Sequence, residues 1–102
     1  MLICKNECFN KAISAYYFAT EAYANAIFLM KMQKTRGFRS RIAIIRNILG
    51  DSIARDFEKL HDYRRRADHE SSIMKKEQAI EARNLSVKLI EHFRSYLSKE
   101  II

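Results

Sequence analysis

NKAISAYYFATEAYANAIFL, from Asn10 to Leu29, is the stretch that decides the fold class. It carries six alanines: Ala12, Ala15, Ala19, Ala22, Ala24 and Ala26. Alanine is the best helix former, and small side chains let a neighbouring helix approach closely. Phe9, Ile13, Tyr16, Tyr17, Tyr23, Ile27 and Met30 add bulk. Apolar residues lie almost all round its second half, which predicts a centrally placed helix over about Asn6–Gln33. KTRGF, Lys34 to Phe38, follows, with Gly37 as the expected helix stop.

Outward from that stretch the pattern stays helical. Ile42, Ile45 and Leu49 predict a second helix over about Arg39–Leu49, closed by Gly50. Asp51 or Ser52 is the expected N-cap of a third helix reaching about Arg66, with Ile53, Phe57 and Leu60 on one line. DHESSI is a polar connector. Ile80, Val87, Ile90, Phe93 and Leu97 predict the inner side of a fourth helix over about Lys75–Lys99. The chain has no proline and two glycines, Gly37 and Gly50, far fewer than sheets with tight turns need. With 102 residues and no internal repeat or linker, the expectation is one domain over residues 1–102. Its expected architecture is an all-α, up-and-down four-helix bundle.

The formal net charge of +7 favours polyanionic partners: nucleic acid, an acidic protein or an anionic membrane surface. Six basic residues and no acid lie between Lys31 and Gly50. Among them Arg36, Arg39 and Arg41 are candidate contacts to an RNA backbone, as is Arg65 further on. A hydrophobic content of 48% with 30% charged residues excludes a disordered chain. Thr20, Glu21 and Asn25 interrupt the most apolar run, so no membrane span or membrane partner is expected and the expected location is the cytoplasm. Cys4 and Cys8, four apart and without a neighbouring histidine, make a poor zinc site, so neither metal nor cofactor is expected.

The chemistry concentrates in DYRRRADHE, Asp62 to Glu70. Arg65 and Arg66 point away from the Ile53–Phe57–Leu60 line, but Arg64 continues it. A guanidinium there is costly unless it is paired or opens onto a cleft. One reading pairs it with Asp68 as a snorkelling side chain. The other joins it to His69. Arginine forks onto phosphate oxygens, and histidine titrates near neutrality. Together they suit metal-free RNA cleavage to a 2′,3′-cyclic phosphate. On an unbroken helix the two would diverge by about 140°, so the helix must end between them or two chains must each supply a pair. Arg55 and His61 form a second match of similar spacing.

These residues, with the long helices around them, resemble the HEPN family (higher eukaryotes and prokaryotes nucleotide-binding), above all its small stand-alone prokaryotic members. NKAISAYYFATEAYANAIFL is similar to that subgroup's alanine- and tyrosine-rich helix. KTRGF resembles its turn, with Arg36 where histidine is usual. LHDYRRRADHE resembles its helix end, and EQAIEARNLSVKLIEHFRSYL its long final helix. The resemblance spans nearly the whole chain. It implies a homodimeric helical bundle with an Arg-x4-6-His ribonuclease motif, often a toxin paired with a nucleotidyltransferase antitoxin. Mapped here, the motif falls on Arg64 and His69, with Asp68 orienting the arginine. The alternative it implies is a non-catalytic module that docks the nucleotidyltransferase. Ser71 stands where some such toxins carry a modifiable tyrosine, and less helix precedes the tyrosine pair than is usual in the family.

Overall fold

The computed structural model describes residues 6–69 and 73–101, and is helical almost throughout. Four helices follow in order: α1 (Asn6–Met30), α2 (Gly37–Leu49), α3 (Asp51–Ala67) and α4 (Lys76–Ile101). The all-α expectation holds, but the up-and-down order does not: the Asn10–Met74, Thr20–Ser86 and Lys31–Glu100 contacts make α1 and α4 run parallel. No helix among the described residues is long and apolar enough to cross a membrane.

Helix α3 is the hub. It packs against α1, α2 and α4, whereas α2 has, among the described residues, no other backbone neighbour than α3. The sequence placed α1 centrally, yet Leu29 is exposed and the α1 face bearing Ala19 and Ala22 is open. Three helices thus make the main core, with α2 leaning on its flank. Tyr17, Phe57 and Phe93 meet at the centre, with ring centroids 6.0 Å apart for Tyr17–Phe57 and 5.8 Å for Phe57–Phe93.

The α1–α4 seam alternates small residues with large ones. Ile13, Tyr17, Thr20, Ala24 and Ile27 form the buried line of α1. Facing it, Ala79, Ala82, Ser86, Leu89 and Phe93 form that of α4. Both lines alternate steps of three and four residues, the spacing that aligns two long helices at a shallow angle. Thr20 and Ser86 share a hydrogen bond of 2.8 Å across the seam, and both hydroxyls reach the Tyr16 carbonyl. Neither buried hydroxyl is stranded, so the seam avoids the penalty for an unpaired polar group.

This packing corrects the expected inner side of α4. Ile80 and Val87 are 44% and 51% exposed, while Phe93 is fully buried. Bulk misled the sequence reading: a close approach selects alanine and serine, and turns the larger side chains outward.

The helix ends also differ from expectation. Gly37 does not stop α1; it opens α2. Helix α1 closes at Met32, which takes φ 54°. The Gln33 N–H donates to the Phe28 carbonyl at 2.9 Å, and the Met32 N–H to that of Leu29 at 3.0 Å. This is a Schellman closure with methionine in the position glycine usually takes. Gly50, at φ 97°, is the single residue between α2 and α3 and caps α3 in place of Asp51 or Ser52. At the start of α4, the Gln78 side chain accepts the Lys75 N–H at 2.8 Å, half of a capping box.

Candidate functional site

The end of α3 carries the residues singled out from the sequence. Ile53, Phe57 and Leu60 are buried as expected, and Arg64 follows on the same line, half-buried. Its guanidinium carbon lies 5.6 Å from the Tyr17 ring centre and 5.1 Å from that of Phe18. Nε stands 2.9 Å from Asp68 Oδ2. That N–H is buried but does not aim at the oxygen, so the contact is charge pairing without an aligned hydrogen bond. The other Asp68 oxygen accepts a 2.6 Å hydrogen bond from Ser14 Oγ. Asn10 completes the arrangement: its Nδ2 donates to the Ala67 carbonyl at 2.8 Å, and its Oδ1 accepts the Met74 N–H at 3.1 Å. Helix α1 therefore fastens the end of α3 to the start of the α4 segment.

Helix α3 ends between Arg64 and His69. Asp68 is its C-cap, and the His69 N–H donates to the Arg66 carbonyl at 3.2 Å. His69 is exposed and lines a shallow depression of about 210 Å³ with Asp62, Arg65 and Arg66. Asp68 borders another depression, against α1, beside Ser14 and Phe18. Within one chain, then, Arg64 and Asp68 form one group, and His69 joins Arg65 and Arg66 in another. Three arginines in the last turn also suit the negative end of the α3 dipole. Ser71 and Cys4 lie outside the described residues. Among the described residues, no three histidine, cysteine or acidic side chains gather where they could hold a metal ion.

A larger groove, about 590 Å³, opens between α2 and α3. Phe38, Arg39, Ile42 and Arg46 line it from α2; Glu58, His61, Asp62 and Arg65 line it from α3. In each set every residue has another three or four positions away, so each is one face of its helix. Two of the four arginines expected to contact RNA, Arg39 and Arg65, meet here. Arg36 is exposed just before α2. Arg41 turns toward α1, where its Nη1 donates to Glu21 Oε2 at 2.9 Å. The Tyr17 hydroxyl donates to the same carboxylate oxygen at 2.9 Å. Burial, and then that bond, hold the Tyr17 phenol well above its ordinary pKa.

His61 was not singled out from the sequence beyond its chance-like spacing from Arg55. The structure separates that pair: Arg55 is largely exposed and bound to Asp51 at 2.7 Å. His61 instead lies flat on Phe38, ring centres 3.5 Å apart and planes at 11°. Tyr17 covers it from the core side at 5.5 Å. Burial, with Arg65 and Arg64 nearby, holds its imidazole below the usual histidine pKa. The sequence signal was present, in Glu58, His61, Asp62 and Arg65 at helical spacing, but it needed α2 as the facing wall.

No protein-family model, curated protein or solved structure matches the chain.

Proposed function

We propose that the chain is a HEPN-type RNA-cleaving protein that works as a homodimer, the toxin of a pair with a nucleotidyltransferase. The observation that carries this reading is Arg64. It occupies an inward position on α3 where an apolar residue would pack, yet sits half-buried beside the exposed ring of Phe18. Asp68 engages it through Nε. That side-on hold leaves the Nη1 and Nη2 pair for two phosphate oxygens.

His69 stands at the end of the same helix. In this reading it accepts the proton of an RNA 2′-hydroxyl, and the 2′-oxygen attacks phosphorus. The bond to the 5′-oxygen then breaks, with the partner's His69 returning a proton to the leaving oxygen. Arg64 stabilises the charge that builds on the phosphorane. Because Asp68, the partner of Arg64, borders one depression and His69 lines another, the reading requires the second copy. Exposed Ala15 and Phe18, next to the Arg64 end, offer the place for it.

The second reading is a non-catalytic module that docks a nucleotidyltransferase. The Arg64–Asp68–Ser14 cluster favours it, since Arg64 there has a partner within its own chain. One assay separates the two: purified protein and His69→Ala on a mixed RNA pool in EDTA. Cleavage by the wild type alone, leaving cyclic-phosphate ends, supports the ribonuclease. Equal cleavage by the variant removes His69 from the mechanism, and no cleavage by either protein supports the docking module.

A further inference from the structure

The α2–α3 groove has chemistry that the Arg64–His69 reading does not use. Its volume, about 590 Å³, lies within the roughly 300–1,000 Å³ typical of small-molecule sites. Its wall includes the stacked rings of Phe38 and His61, with Ile42 beside them. Such partly exposed aromatic surface is what an unstacked base packs against. His61 is held below its ordinary pKa, so near neutral pH the pair presents an uncharged face.

The charges fit the same ligand. Arg46 is committed to Asp51 at 3.0 Å and Glu58 at 2.9 Å. Arg39 and Arg65, one from each helix, form no ion pair among the described residues and are exposed. They can take a phosphate from two sides. Glu58 and Asp62 are out of place in a track for a bare polyanion. They suit a ligand that also offers donors, such as a ribose hydroxyl or a base amino group.

Position adds an independent argument. Asp62 and Arg65 line both this groove and the depression that holds His69. The two hollows share a wall, so a strand lying at His69 reaches the groove with its neighbouring nucleotide. We infer that the α2–α3 groove, walled by Phe38 and His61 and flanked by Arg39 and Arg65, holds one unpaired nucleotide of a single RNA strand. This rests on RNA as the partner, but not on cleavage. The groove supplies base-dependent affinity where the basic surface supplies only attraction to the backbone.

The test uses a labelled, fully 2′-O-methylated hexanucleotide, which has no 2′-hydroxyl to attack, in EDTA at 150 mM salt. Phe38→Leu weakens binding about tenfold, since one base stack is worth about 1–3 kcal/mol and each 1.4 kcal/mol is a factor of ten, and Arg39→Gln weakens it about tenfold by removing a charge-assisted phosphate contact. One abasic position in the strand costs wild type a similar factor and costs Phe38→Leu almost nothing. Arg39 is exposed, so its variant reads the groove even where Phe38→Leu weakens the fold. Wild-type affinity in Arg39→Gln, or equal binding of all abasic strands, overturns the groove site. A free nucleoside monophosphate binding as tightly as the hexanucleotide makes the ligand a free nucleotide and overturns the strand. Groove-dependent binding with no cleavage of natural RNA sinks the ribonuclease and keeps the groove. Cleavage that ignores both groove variants does the reverse.

Discussion

Arg64→Met separates a phosphate-binding arginine from a merely structural one. Methionine keeps an apolar stem on the α3 line and removes the charge. Three contacts are lost. The i,i+4 pair with Asp68 has side chains 33% and 45% exposed, and such helix pairs contribute about 0.3–0.5 kcal/mol. The Tyr17 and Phe18 rings, 5.6 and 5.1 Å away, contribute about 0.5–1 kcal/mol each at partly exposed sites. Against this, the buried Nε with no aligned acceptor disappears, and its removal offsets part of the loss. The expected cost is about 1–2 kcal/mol, a fall in Tm of roughly 5–15 °C for a domain of this size. Urea unfolding and thermal CD read that cost. Cleavage of RNA should fall about 100- to 1,000-fold, the usual effect of removing one donor to a developing oxyanion. Arg64→Lys, which keeps the charge but not the fork, should fall between. A variant that folds and cleaves at the wild-type rate refutes the phosphate role. A loss above about 4 kcal/mol would instead mark Arg64 as a structural anchor, and the argument from its odd position would fail.

Two further predictions concern the fold and its titration. Ala82→Leu, at the closed α1–α4 seam, should cost about 1–3 kcal/mol by overpacking, whereas Val87→Ser on the open side should change stability by less than about 0.5 kcal/mol; the opposite order in urea unfolding would restore the bulky residues as the core face. His61 binds protons more weakly folded than unfolded, so its contribution to stability is complete above the unfolded pKa of about 6.5 and is lost as pH falls from there through the lower folded value. His61→Gln should flatten that acid-side loss between about pH 7 and pH 5, and identical pH slopes in variant and wild type would contradict it.

Much of the architecture was legible because helix punctuation is local. Gly50 and the lack of proline marked four helices, and the Ile53–Phe57–Leu60 line predicted the buried face of α3. The α4 face was legible at Phe93 and Leu97 but not in its first half. Hydropathy ranks Ile80 and Val87 above Ala82 and Ser86, whereas packing around the Thr20–Ser86 hydrogen bond selects the small pair. The α1 stop was missed because Met32 adopts a left-handed conformation that its side chain does not advertise. At the site, the Arg64–Asp68 pair followed from i,i+4 spacing. The Ser14 hydrogen bond to Asp68 spans 54 positions in sequence and could not. The groove was split in the same way: Arg39 and Arg65 drew notice as charges, but only the packing of α2 on α3 joins them around His61.

Because α2 packs mainly on α3, with the Arg41–Glu21 pair tying it to α1, and joins α3 through Gly50, it is the natural unit of local opening. Detaching it uncovers Ile42, Ile45 and the side of Phe57 that Phe38 covers, while the Tyr17–Phe57 and Phe57–Phe93 contacts between the other helices remain, so its amides should exchange with solvent sooner than those of α3. The charged contacts that resist this, Arg46 to Asp51 and Glu58 and Arg41 to Glu21, are exposed or partly exposed ion pairs of small net worth. A nucleotide touching both helices binds the attached state alone. At a hundred times its dissociation constant it would add about 2.7 kcal/mol to that attachment. Helix α2 would then behave as a latch, slow to exchange when RNA is present and quick to lift when it leaves.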